Sequence, residues 1–217
     1  MPVRVGLKVI ELWNSSMEKA VCEYEKEPIE KGKIVFYGPS NFTRWSEKFN
    51  HVPLRRVLLG KSGAECCINR GFGSSCAEHH LYYYPRMVRP LEPKVLVYSS
   101  FGNGEDFGYT SEETWEIGQR VVEYALADFP DIRIYLCGGK SRPNMAKERY
   151  EMLKAYDNYL IEFAEKHPRC KYLNFIDCEQ FAPEDIYVSD KVHFNQQGYD
   201  LYTEYFKEAL KDELDKF

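Results

Sequence analysis

Short apolar runs rich in β-branched and aromatic residues alternate along this chain with longer stretches in which apolar positions recur every three or four residues. Runs such as Ile34-Val35-Phe36-Tyr37, Val95-Leu96-Val97-Tyr98 and Ile132-Arg133-Ile134-Tyr135-Leu136 are mostly continuous, as expected of strands covered on both faces. The pattern predicts strands over 33–38, 64–69, 94–100, 132–137 and 172–177. Helical spacing marks the stretches between them. Thr110-Ser111-Glu112-Glu113 has capping-box spacing ahead of Trp115, Val121, Val122, Tyr124 and Leu126, and that helix should stop before Pro130. A second helix is predicted over about 145–165, with Leu153, Tyr156, Leu160 and Phe163 on one face, and a third carries Tyr199, Tyr202, Phe206 and Leu210. An N-terminal helix is expected from about Leu7 to Glu25, closed by Glu27-Pro28. Strands alternating with helices predict an α/β fold: a three-layer αβα sandwich around a five-stranded parallel sheet.

In such a sheet, ligands sit beyond the carboxyl ends of the strands. The loops beginning at Gly38, Arg70, Ser99, Gly138 and Cys178 should therefore share one edge, and function should lie there. Composition narrows the classes. The 217 residues suit a single domain over 1–217 with an N-terminal helical extension at about 1–30. A net charge of -5, with both signs interspersed, argues against nucleic acid as a partner. No run approaches the roughly 18 apolar residues of a membrane span, and the first residues lack a signal-peptide pattern, so a cytoplasmic protein with no membrane partner is expected. A homo-oligomer is compatible with the sequence. Seven cysteines, an odd number with Cys66 and Cys67 adjacent, fit reduced buried thiols better than a disulfide framework. Cys67 with Cys76-Ala77-Glu78-His79-His80 is a weak competing pattern for zinc.

Four segments on the expected edge carry candidate chemistry. Ser40 follows the first strand and precedes a polar helix start, where free backbone N–H groups favour a developing oxyanion. Its ordinary reading is an N-cap serine. Asp190 precedes His193 by three positions, so the carboxylate can orient the ring and stabilise the imidazolium formed when the other nitrogen takes a serine proton. The ordinary reading of that pair is a local turn ahead of a helix capped by Asn195. Asn69-Arg70-Gly71-Phe72-Gly73-Ser74-Ser75 is a glycine-rich turn that permits close approach of a ligand. The loop from Ser99 to Asp106 carries Asn103, whose amide could be another oxyanion donor, although Gly-Asn-Gly also simply makes turns.

Taken in order, Gly38-x-Ser40, Asn69-Arg70-Gly71-Phe72-Gly73, Asn103, and Asp190-x-x-His193-Phe194-Asn195-x-x-Gly198-Tyr199 resemble the SGNH hydrolase superfamily, also called GDSL-type lipases and esterases. The resemblance runs from about residue 31 to the end. It implies a flavodoxin-like fold in which Ser40 is the nucleophile, His193 the general base and then acid, and Asp190 the orienting carboxylate. It also implies an oxyanion hole built from the N–H groups of Ser40 and of the second-block position occupied here by Ser74, with the Asn103 amide. The chain departs from the family pattern at Pro39, where Asp or a small polar residue is usual, at Ser74, where glycine is expected, and at Phe101-Gly102 before the asparagine.

The expected activity is hydrolysis of a short, acetyl-like ester of a carbohydrate or small metabolite through an acyl-serine intermediate, with no cofactor and no metal. Gly73, Phe101, Phe107, Tyr109 and Arg142 are the expected substrate-binding residues. Two rivals stand beside it. One is a non-catalytic or weakly catalytic ligand-binding module on the same fold. The other is a metal-dependent hydrolase using Cys76 and His79, with Asp190 and His193.

Overall fold

The computed structural model of the chain describes residues 14–217. Its helices are α1 (Asn14–Glu25), α2 (Ser40–Thr43), α3 (Leu54–Val57), α4 (Ala77–Met87), α5 (Ser111–Asp128), α6 (Lys147–Lys166), α7 (Gln196–Ala209) and α8 (Lys211–Leu214). Its strands are β1 (Ile34–Gly38), β2 (Cys67–Gly71), β3 (Val95–Tyr98), β4 (Arg133–Cys137) and β5 (Cys170–Leu173). The five strands form one parallel sheet in the order β2-β1-β3-β4-β5. The order reverses between β1 and β3, which opens a crevice beyond their carboxyl ends.

Residues one apart on β1 serve opposite layers. Val35 and Tyr37 enter a core with Met17 and Val21 of α1, Tyr83 and Tyr84 of α4, Trp115 and Val121 of α5, and Tyr156 and Leu160 of α6. Ile34 and Phe36 enter a second core with Phe42 of α2, Leu54 of α3 and Tyr199, Tyr202 and Phe206 of α7. This is why β1 reads as a continuous apolar run: a strand with helices on both faces has no polar side to show. Phe36 meets Phe42, Trp45 and Phe206 edge-on at centroid distances of 5.4, 6.2 and 5.1 Å. Such pairs add to their area burial and fix how α2 and α7 sit beneath β1.

Thr110 caps α5 reciprocally with Glu113, α5 ends before Pro130, and Asn195 caps α7, all as the sequence predicts. The predicted helix from about Leu7 is described from Asn14 onward; its first residues lie outside the described ones. Three strands are one to three residues shorter than expected, and two are displaced along the chain. β2 spans 67–71 rather than 64–69 because Glu65 is held in an antiparallel bridge with Leu59 before the strand begins. β5 spans 170–173 rather than 172–177 because the Asn174 side chain accepts the Asp177 N–H and turns the chain, leaving Phe175 and Ile176 buried beyond the strand. Helix α4 has no counterpart in the sequence reading. Its three tyrosines and internal Pro85 are poor helix formers, and tertiary burial of Tyr83, Tyr84 and Met87 overrides that local preference.

Candidate active site

The turn after β1 is clamped from two sides. The Asn69 amide in the middle of β2 donates to the carbonyl of Phe42 at 2.7 Å, and the Tyr199 hydroxyl of α7 donates to that of Asn41 at 2.9 Å. Gly71 is required for this approach, since a Cβ there would lie 2.4 Å from the Thr43 nitrogen. Pro39 occupies the N-cap of α2 and Ser40 is the first helical residue, so the Ser40 hydroxyl is not used as a cap. It lies 2.8 Å from Nε2 of His193.

His193 stands on a loop closed by the bridge between Tyr187 and Phe194 and by the Val188 N–H donating to the His193 carbonyl at 2.9 Å. Asp190 organises that loop. Its Oδ1 accepts the N–H groups of Val192 and His193 at 2.8 and 2.9 Å, while Oδ2 lies 2.7 Å from His193 Nδ1. Burial works to raise the Asp190 pKa, but the hydrogen bonds from His193 and Val192 outweigh it and hold the carboxyl down at about 2. An ionised carboxylate only accepts, so Nδ1 carries the proton and Nε2 is left to accept from Ser40. Burial also lowers the His193 pKa below its ordinary 6.5, against the opposing pull of Asp190, so the ring is neutral at physiological pH. The Arg44 guanidinium stands 3.6 Å from Asp190 Oδ2.

Ser40 opens onto a cleft of about 240 Å³, lined among others by Asn41, Phe101, Asn103, Arg142 and Val192, with His193 and Asp190 behind the serine and outside the lining. One N–H of the Asn103 amide donates to the Ser75 carbonyl at 2.8 Å, which leaves the second for the cleft. The N–H groups of Ser40 and Ser74 donate to no group among the described residues. Ser74 adopts the left-handed conformation, at φ 61°, that a glycine would take without strain, and it is exposed and outside the cleft lining.

Among the expected substrate-binding residues, Phe101 and Arg142 line the cleft, and Gly73, half-buried, lies outside the lining. Phe107 and Tyr109 are corrections. Phe107 packs on a small cluster of Cys76, Ala77, Tyr109 and Ile117, and Tyr109 is 3% exposed with its hydroxyl bonded to buried Glu78. A buried partner for the phenol drew Tyr109 inward, and no local pattern reports such a partner. Arg70 likewise turns from the site, pairing with Glu27 at 2.6 Å over the Tyr24 ring.

All seven cysteines are free thiols. Cys76 Sγ and His79 Nδ1, 3.2 Å apart, form a reciprocal cap on α4, and among the described residues no three or more His, Cys, Asp or Glu side chains are grouped to hold a metal ion. Sequence reasoning missed Lys140, Asp106, Arg149 and Leu153, which also line the cleft. The signal for Lys140 was its place just past β4, on the edge where the loops converge.

No family model matches the chain and no curated protein matches it. Solved structures do. A GDSL-like lipase from Bacteroides thetaiotaomicron superposes with a TM-score of 0.62 at 18% identity, covering 93% of this chain and 98% of that one. A lipase/acylhydrolase from Enterococcus faecalis gives 0.65 at 16%, covering 84% and 96%. An acetyl xylan esterase gives 0.68 at 16%, covering 82% and 99%. At these identities the likeness concerns the fold. With its β2-β1-β3-β4-β5 parallel sheet between helices, the chain shares the fold of these GDSL-like lipase, acylhydrolase and esterase structures.

Proposed function

We propose that this protein is a serine esterase that removes a short, acetyl-like acyl group from a carbohydrate or small-metabolite ester. The observation that carries the reading is the continuous contact from Asp190 through both nitrogens of His193 to Ser40. Ser40 Oγ attacks the ester carbonyl carbon as its proton passes to His193 Nε2. The resulting oxyanion takes hydrogen bonds from the Ser40 N–H and the Asn103 amide, with the Ser74 N–H as the third donor. Collapse breaks the bond to the alcohol, which leaves with the proton from His193. Water then gives a proton to His193 and attacks the acyl carbon; the acid departs and Ser40 regains its proton. The cleft, smaller than the roughly 300–1,000 Å³ of drug-sized pockets, supports a short acyl group.

The test is p-nitrophenyl acetate hydrolysis by the wild type and Ser40→Ala, with fluorophosphonate labelling in parallel. Turnover and labelling that both vanish in the variant are expected. Equal rates in the two proteins, without labelling, would replace this reading with a ligand-binding module on the same fold.

A further inference from the structure

Eleven arginines are described, and ten of them have a carboxylate or carbonyl partner. The exception is Arg142, which lines the cleft beside Ser40 with no hydrogen bond or ion pair among the described residues. Lys140 lines the same cleft. Its ammonium donates to the Val192 carbonyl at 3.1 Å and the Tyr187 hydroxyl at 3.3 Å and lies over the rings of Tyr187 and Phe194 at 4.4 and 4.2 Å. Those two bonds leave one of its three N–H donors unspent. No carboxylate lies within ion-pair distance of it, and the Asp190 charge, which acts on it from farther off, only partly offsets its burial. Arg149, also in the lining, is neutralised by Glu105. Asp106, the one carboxylate in the lining, is exposed and pairs with neither Lys140 nor Arg142.

Burial and then the nearby Arg142 charge push the Lys140 pKa down to about 7, so the two cations sit close enough to repel each other. An unpaired charge taken partly out of water is costly, and an anion placed between two such groups offsets that cost. A guanidinium beside an ammonium also suits a carboxylate or phosphate by shape, the first as a planar fork and the second as a point charge. We infer that the cleft takes esters that carry an anionic group, held by Arg142 and Lys140 next to the Ser40 hydroxyl. This rests on the esterase reading above and narrows its substrate class.

The test compares three acetyl esters: phenyl acetate, 4-acetoxybenzoate and 4-acetoxyphenyl phosphate, each rate divided by that ester's alkaline hydrolysis rate. The wild type should favour at least one anionic ester over phenyl acetate by about tenfold or more in kcat/KM, the size expected of a charge-assisted pair. Whichever ester leads identifies carboxylate or phosphate as the group held. The ratio should fall toward one in Arg142→Gln and in Lys140→Met, with circular dichroism confirming folded protein. A preference for the neutral ester, or a ratio that survives both substitutions, overturns the inference while leaving the esterase intact. If no ester is cleaved, the esterase reading fails, and calorimetric titration with the two anionic esters decides this one: binding lost in Arg142→Gln supports it, and no binding to the wild type overturns it.

Discussion

Two serine–histidine pairs in this molecule have the same separation and opposite proton polarity. Ser40 Oγ and His193 Nε2 are 2.8 Å apart at an open cleft, and so are Ser75 Oγ and His80 Nε2 in the interior, where both residues have no exposure. Ser75 donates its single hydroxyl proton to the Phe72 carbonyl at 2.6 Å, so at the buried pair the histidine must be the donor. At the cleft the reverse holds, because Asp190 claims the proton on Nδ1 and leaves Nε2 to accept. His80 has no carboxylate on its other nitrogen, only the Tyr98 hydroxyl at 3.4 Å, and it is enclosed by the rings of Tyr37, Phe72 and Tyr98. A short Ser–His contact is therefore not by itself a nucleophile and its base. The chemistry needs a third group that sets the tautomer and a space for the reacting carbon.

The buried pair nevertheless serves the exposed one. It pins the turn whose Ser75 carbonyl holds the Asn103 amide and whose Ser74 offers a free N–H.

Exchanging the serines is the strongest way to break the comparison. Ser40→Ala should lower kcat by about 10⁴-fold or more with unchanged thermal stability. Ser75→Ala should do the opposite, costing about 1–3 kcal/mol by stranding the His80 N–H while kcat/KM falls less than about tenfold; melting curves and initial rates read both. Asp190→Asn tests the tautomer argument and should reduce kcat by up to about 10⁴-fold, as expected when the proton sits on the wrong nitrogen. Asn103→Ala should cost about 10²–10³-fold in kcat with KM little changed, because its amide meets charge that develops only in the transition state.

The smallest effects are those of pH. Burial lowers the pKa of both histidines from 6.5, His80 far more than His193. The acid limb of kcat/KM should therefore lie below 6.5, and a limb at or above that value would contradict a neutral, partly buried base. For stability the sign follows from proton binding. Below about pH 6.5 the unfolded chain protonates His80 and the folded one does not, so stability is complete above that pH and declines as it falls; His80→Asn should flatten the slope of urea-derived stability against pH.

Much of this was legible along the chain. The apolar run ending at Gly38 set Ser40 at a strand-to-turn junction, and the three-residue spacing of Asp190 and His193 is what lets one carboxylate hold both the loop backbone and the ring. Other parts were not. Tyr109 left the cleft for Glu78, α4 formed in spite of its composition, and Lys140 acquired its place from Tyr187 and Val192, 47 and 52 positions away. None of those partners has a local signature.

The sequence by itself determined the α/β alternation, the caps at Thr110 and Asn195, and the Asp190–His193 contact, because each depends on torsions and hydrogen bonds within a few residues. Only the tertiary structure decided that Ser40 meets His193 across 153 positions and that Ser75 meets His80 in a sealed core. It also left Arg142 unpaired beside the serine. Those outcomes depend on how the two layers of helices pack against the sheet, and packing couples residues whose spacing in the chain carries no information about their separation in space.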